Sequence, residues 1–315
     1  MIENTFQHYS VLKDEVLSVL AFDSGRTPLR LIDGTLGGGG HSFALLEKYP
    51  DLEILGIDRD ENALEFASER LKCFGNRFSA VHGNYSRLAD LAREHGWESV
   101  DGVLLDIGVS SPQIDTAERG FSWRENGPLD MRMDQTSPLT AARVLNRYPE
   151  AELKTIFREY GELKSAGKLA AAVVEQRMQK PFAETADLVE LCDRVLGHAR
   201  KGELPRPTLV FQALRIAVND ELGELERGLN EALDILHSGG ILAVISFHSL
   251  EDRMVKNFMR DAAKDCICPP SLPVCCCDHR AKVRVITRHA LTAARAELDE
   301  NRRSAPARLR AAEKI

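Results

Sequence analysis

Asp33-Gly34-Thr35-Leu36-Gly37-Gly38-Gly39-Gly40-His41-Ser42 follows an apolar run, Leu29, Leu31 and Ile32, and leads into residues with helical spacing. The order is strand, glycine loop, helix. Four successive glycines carry no side chain to hold a ligand away, so backbone N–H groups at a helix start can come close to a nucleotide-like cofactor. A second apolar run, Ile54-Leu55-Gly56-Ile57, ends in Asp58, eighteen residues after Gly40. A carboxylate at that spacing suits hydrogen bonds to a ribose diol. The competing reading is a glycine turn between strand and helix that holds no ligand.

Charge separates the cofactors such a loop can take. A G-x-G-x-x-G site receives a pyrophosphate, which Asp33, ending the first strand beside the loop, would repel. S-adenosylmethionine has no phosphate, and its ammonium and sulfonium favour a nearby carboxylate. The loop therefore fits a methyltransferase better than a dehydrogenase.

Strand and helix patterns alternate outward from the loop. Strands are expected at Leu29 to Asp33, Glu53 to Asp58, Phe78 to His82 and Val100 to Asp106, with helices from about His41, over Glu61 to Lys72 and near Leu88 to His95. A repeating βα order predicts a parallel sheet covered by helices on both faces, with ligands at the carboxyl ends of its strands. Asp33, Asp58, Tyr85 and Asp106 fall at or just past such ends. After Pro112, a loop rich in Gly, Pro and charge leads into helical spacing at Glu150 to Phe157, Lys168 to Met178 and Ala186 to Leu196. Alternation returns beyond Leu204-Pro205-Arg206-Pro207, with a long helix from about Phe211 to Leu236 and an apolar strand at Ile241 to Ile245. Lys282 to Thr287 alternates with period two and suggests an outer strand. The expected organisation is one α/β domain over residues 1–112 and 213–315, interrupted by a helical insertion over 113–212.

At 315 residues the chain is long for a single domain, consistent with that division. Its first residues carry no basic cluster followed by an apolar run, and no apolar stretch approaches membrane-spanning length. A soluble, non-exported protein is expected. Five of seven cysteines crowd into Cys266, Cys268, Cys275, Cys276 and Cys277, unlike a secreted disulfide framework, so a reducing cytoplasm fits. The net charge of −7 argues against a generally phosphate-binding surface. From Arg280 to Ile315, however, ten Lys or Arg stand against four Asp or Glu, a net of about +6. That tail reads either as a nucleic-acid-facing edge or as a solvated, partly helical segment.

Four further stretches bear on chemistry. Asp106-Ile107-Gly108-Val109-Ser110-Ser111-Pro112-Gln113 ends the fourth strand, where a sheet of this kind faces cofactor and substrate. An exocyclic amine on a base is a poor nucleophile, and acceptors such as Asp106, Ser110, Ser111 and Gln113 can restore its reactivity by hydrogen-bonding its N–H groups. A plain strand-end turn is the alternative. Ser246-Phe247-His248-Ser249-Leu250-Glu251-Asp252 follows the fifth strand: Ser249 is expected to cap a helix, with Ser246 and His248 facing a cleft. Arg119-Gly120-Phe121-Ser122-Trp123-Arg124 interleaves aromatics with cations, as single-stranded nucleic-acid sites do, although such rings also simply pack. Cys266-x-Cys268 with Cys275-Cys276-Cys277-Asp278-His279 holds enough soft ligands for zinc, but a free-thiol loop is the expectation, because three adjacent cysteines cannot easily all point at one tetrahedral ion.

Taken together, these residues resemble the bacterial RsmH (MraW) family, the 16S rRNA cytosine-4-amino methyltransferases. The resemblance rests on His8-Tyr9-Ser10-Val11-Leu12 with Asp14-Glu15, Asp33 to Ser42, Gly56-Ile57-Asp58-Arg59-Asp60 and His82-Gly83-Asn84-Tyr85. It continues through Asp106 to Gln113, Arg119 to Ser122, Gly127 to Met133, Thr208 to Asn219 and Ile245 to Arg253. It implies a Rossmann-like S-adenosylmethionine-dependent methyltransferase sheet with an inserted all-helical domain, acting on a decoding-region cytosine of 16S rRNA within the small ribosomal subunit, in the cytoplasm. Cofactor contacts are implied at Gly39, Gly40, His41, Asp58, Tyr85, Asp106 and Gln113. Asp58 would take the ribose and Tyr85 the adenine, and Asp106 and Gln113 would lie where methyl meets base. Catalysis is expected from Asp106, Ser246 and His248, with no metal and no membrane partner. A non-catalytic RNA-binding assembly factor and an NAD-dependent oxidoreductase are the alternatives.

Overall fold

The computed structural model describes residues 10–22, 27–197, 199, 202–266, 268–269, 272, 274, 276–277 and 280–315. Two compact units emerge: Met1–Gly108 together with Gly223–Ile315, and Val109–Leu222. His8 and Tyr9 of the family resemblance lie outside the described residues. In chain order come α1 (Lys13–Val19), β1 (Leu29–Asp33), α2 (Gly40–Lys48), β2 (Leu52–Asp58), α3 (Glu61–Leu71), β3 (Phe78–His82), α4 (Leu88–Glu94) and β4 (Val100–Asp106). The insertion contributes α5 (Ser111–Asp115), α6 (Ala141–Arg147), α7 (Glu150–Glu159), α8 (Ala166–Gln179), α9 (Thr185–Leu196) and α10 (Arg206–Asn219). Then follow α11 (Glu221–Ile235), β5 (Leu236–Ser246), α12 (Ser249–Ala262), β6 (Val283–Val285), α13 (Arg295–Glu300) and β7 (Arg308–Lys314).

Among the described residues seven strands form one sheet in the order β3-β2-β1-β4-β5-β7-β6. Strands β1 to β5 are parallel, and β7 runs antiparallel to both β5 and β6. Successive side chains of a strand point to opposite faces, so both faces need cover. Leu31, Ile54, Leu104 and Ile245 pack on one side with Val16, Leu45, Leu46 and Leu71 from α1, α2 and α3. Their neighbours Ile32, Leu55, Leu105 and Val244 pack on the other with Leu88, Leu229, Val255 and Met259 from α4, α11 and α12. Because β2 and β3 lie to one side of β1 while β4 lies to the other, the order reverses between β1 and β4. Sheets of this kind bind ligands at the carboxyl ends of the strands at such a reversal.

The helical unit has its own core, including Leu129, Val144, Leu153, Phe157, Phe182, Leu191, Phe211 and Leu214. Three sequence expectations change. The unit boundaries fall after Gly108 and Leu222 rather than after 112 and 212. The second one moves because α10 is one helix whose Val210, Phe211, Ala213 and Leu214 are all buried in the helical core. The long helix expected from Phe211 to Leu236 is broken at Asp220, whose φ of 47° is left-handed and cannot continue an α-helix.

The basic tail also differs from its expectation. Arg308–Lys314 is β7, an interior strand with Leu309, Ala311 and Ala312 buried. Two of its three cations have partners: Arg310 forms a two-pronged pair with Asp252 at 2.7 and 3.1 Å, and Lys314 Nζ donates to Leu233 O at 2.6 Å. Glu313 of the same strand takes the Arg284 guanidinium. Among the described residues no helix is long and apolar enough to cross a membrane.

Candidate active site

The glycine loop adopts backbone that only glycine takes without strain. Gly37 and Gly39 have φ of 50° and 69°, and Gly39 is the N-cap of α2. A Cβ on Gly34 would meet Leu105 Cδ2 at 2.6 Å and Tyr85 Cβ at 3.0 Å, so this position must stay bare beside β4. Arg70 of α3 donates to Gly38 O at 2.9 Å and pins the loop from outside. No motif in the sequence flags that contact.

The two carboxylates flanking the loop are both built into it. Asp33 is 2% exposed; its Oδ2 accepts from Ser42 Oγ at 2.6 Å and its Oδ1 from Thr35 N at 3.3 Å. Burial raises its pKa to about 6, with the Ser42 hydrogen bond opposing the rise. Asp58 accepts from Gly37 N at 2.7 Å through Oδ2 and from Asp60 N at 2.9 Å through Oδ1. Burial likewise raises its pKa, against those two backbone donors. Each carboxylate oxygen has further lone-pair capacity, so Asp58 can hold the loop and still accept from a ligand hydroxyl.

At the reversal point Thr35 Oγ1 accepts from Asp106 N at 2.6 Å, tying the end of β4 to the loop after β1. Asp106 Oδ2 stands 3.6 Å from His41 Nε2 in the first turn of α2. Asp106 Oδ1 and both ring nitrogens of His41 are buried and make no hydrogen bond. Three such atoms together are costly unless a ligand satisfies them. S-adenosylmethionine suits the histidine, because its carboxylate accepts from an imidazole N–H, while Asp106 Oδ1 can accept from an N–H of the group that receives the methyl. Tyr85 is 7% exposed, and a Cβ on Gly228 of α11 would meet its Cδ2 at 2.5 Å. One edge of that ring is therefore set by α11.

The remaining sequence candidates take other places. Ser246 is 2% exposed and its Oγ lies 3.5 Å from Arg308 O on β7, so the expectation that it faces an open cleft is not met. The N-cap of α12 is His248, not Ser249. His248 Nδ1 accepts from Glu251 N at 3.4 Å, while Glu251 Oε2 accepts from the backbone of Phe247 and His248 at 2.9 and 3.2 Å. The capping box is thus shifted one residue from the Ser249–Asp252 pairing. His248 Nε2 lies 3.0 Å from Glu251 Oε1 but without hydrogen-bond alignment. In the helical unit, Gln113 is buried and closes a capping box with Ser110 on α5.

The loop of arginines and aromatics turns largely inward. Arg119 donates to Arg132 O and Met133 O at 3.0 and 3.1 Å, and Phe121 is 8% exposed in the helical core. Trp123 Nε1 donates to Thr208 Oγ1 at 3.0 Å, and Arg132 chelates Asp130 at 2.7 to 2.9 Å. Packing, rather than base stacking, accounts for Phe121 and Arg119.

The sequence is similar to known proteins over nearly its whole length. The chain is 46% identical over 310 residues to the ribosomal RNA small subunit methyltransferase H of Carboxydothermus hydrogenoformans, covering 98% of each. It is 48% identical over 313 residues to the protein of the same name from Geobacter sulfurreducens, covering 99% of this chain and all of that one. The counterpart from Symbiobacterium thermophilum is 47% identical over 312 residues, covering 98% and 97%. The model of the MraW methylase family matches residues 5–315, and with a bare glycine loop, two carboxylates and an unsatisfied His41–Asp106 pair at the reversal of its sheet, this chain belongs to that family.

Proposed function

We propose that this protein transfers a methyl group from S-adenosylmethionine to the exocyclic 4-amino group of a cytosine in 16S rRNA, within the small ribosomal subunit in the cytoplasm. The carrying observation is the trio of buried polar atoms without a hydrogen bond on His41, in the first turn of α2, and Asp106, at the carboxyl end of β4. When bound, the cofactor supplies an electrophilic methyl on a sulfonium. Backbone of the glycine loop and His41 would hold its methionine end, and Asp58 would accept from the ribose hydroxyls. Tyr85 would lie against the adenine.

Asp106 acts on the amine. Its Oδ1 would accept an N–H hydrogen bond from the cytosine amine and so keep the nitrogen lone pair directed at the methyl that the cofactor would supply. The same oxygen would take the departing amine proton. Thr35 fixes the backbone of Asp106, so that the carboxylate needs little reorganisation.

The test is transfer of tritiated methyl from S-adenosylmethionine to small ribosomal subunits prepared from cells lacking this protein, followed by nucleoside analysis. Label in N4-methylated cytidine is the expected result. Cofactor binding with no label on any subunit form would reject the catalytic reading in favour of a non-catalytic assembly factor.

A further inference from the structure

The segment between α12 and β6 is a long excursion with a pinned base. Lys282 N donates to Ala262 O at 2.7 Å, and Ala281 N to Asp265 Oδ1 at 3.3 Å. Its described apolar side chains Leu272 and Val274 are 46% and 76% exposed, so among the described residues the loop has no core of its own. The described residues of this stretch form no helix or strand.

Sulfur is what the loop brings together. The Sγ atoms of Cys266, Cys268 and Cys277 all lie within 4.8 Å of one another. Cys277 and Cys266 stand 3.8 Å apart, as do Cys268 and Cys276. A zinc–sulfur bond of about 2.3 Å in a tetrahedron sets a sulfur–sulfur edge of about 3.8 Å. Two backbone amides also point at these sulfurs: Cys268 N donates to Cys266 Sγ and Cys276 N to Cys268 Sγ, both at 3.4 Å. Such N–H groups stabilise thiolates, the form a metal requires.

We propose that Cys266, Cys268 and Cys277 bind a thiophilic divalent cation, zinc by preference, as a structural clip that closes this loop. Cys276 is the described thiol available for the fourth position. Binding releases one proton from each thiol to solvent and leaves three thiolates on a doubly charged ion, with no change of oxidation state. The sequence expectation of a metal-free loop treated Cys275, Cys276 and Cys277 as a block. The fold instead turns two members of that block, Cys276 and Cys277, toward the Cys266-x-Cys268 pair; Cys275 and His279 lie outside the described residues.

The experiment uses the full, untagged chain purified under reductant without chelator. Elemental analysis should find about one zinc per chain, and cobalt(II) substitution should give a thiolate-to-metal charge-transfer band with the intense visible bands of a tetrahedral site. Cys266→Ser with Cys277→Ser should reduce metal to background and abolish the cobalt bands, while Cys73→Ser, at an exposed cysteine outside the loop, should retain both. Unchanged urea denaturation of the double variant, read at Trp97 in the sheet core, separates loss of the site from loss of the fold. A reduced wild-type protein that takes neither zinc nor cobalt overturns the proposal. So does metal retained in the double variant, or a Cys266–Cys277 disulfide as the form that persists under reductant.

Discussion

Asp33→Asn tests whether burial governs the loop carboxylate. Asp33 binds its proton more tightly folded, at about 6, than unfolded, at 3.8. Its protonation therefore contributes stability that is complete below about pH 4 and is lost as pH rises through about 6. At 1.36 kcal/mol per pKa unit, the ionised carboxylate costs the folded state about 3 kcal/mol at neutral pH. Asparagine removes that cost. It also forfeits part of the pairing with Ser42 and Thr35, a loss of about 1 kcal/mol. The variant should thus be slightly less stable than wild type near pH 4 and about 2 kcal/mol more stable near pH 7.5. Urea denaturation on a Trp123→Phe background isolates Trp97, which is buried in the core of the sheet unit and reports that unit alone. A stability difference that stays flat between these pH values, or a variant less stable at neutral pH, would refute burial as the controlling effect.

Asp58→Ala strands the N–H groups of Gly37 and Asp60 and should weaken S-adenosylmethionine binding by about 1.5 to 3 kcal/mol, with Asp58→Asn intermediate; calorimetric titration giving wild-type affinity for the alanine variant removes Asp58 from the site. Asp106→Asn should slow single-turnover methyl transfer by about 10² to 10⁴-fold while cofactor affinity changes by less than about tenfold, and a wild-type rate rejects its role at the amine. Gly228→Ala places a Cβ 2.5 Å from the Tyr85 ring and should destabilise the sheet unit by about 1 to 3 kcal/mol; an unchanged denaturation midpoint shows that Tyr85 is not held by α11.

Local signals made much of the fold legible. The expected strand limits at Leu29 to Asp33, Phe78 to His82 and Val100 to Asp106 coincide with β1, β3 and β4; β4 is buried along nearly its whole length and reads as an apolar run, whereas β3 is an edge strand without a buried residue. β7 was not legible. Its inward positions are held by Leu309 and two alanines, and its arginines give the surface charge of a tail; only partners remote in sequence, Asp252 above all, make it an interior strand. The α10 and α11 break escaped detection for a similar reason, since Asp220 interrupts no hydrophobic period yet takes a left-handed conformation.

The sequence by itself determined the strand–glycine–helix unit, the carboxylates at Asp33, Asp58 and Asp106, and the family, since each is written in adjacent residues whose backbone freedom and charge act locally. Tertiary structure alone decided which groups those carboxylates serve. Asp33 and Asp58 turn back to hold the loop, His248 becomes a helix cap, Arg119 and Phe121 pack inward, and Asp106 Oδ1 and the ring nitrogens of His41 are left buried without a hydrogen bond. The physical reason is that hydrogen-bond satisfaction and burial are properties of neighbours in space, which the order of residues along a strand or loop does not carry.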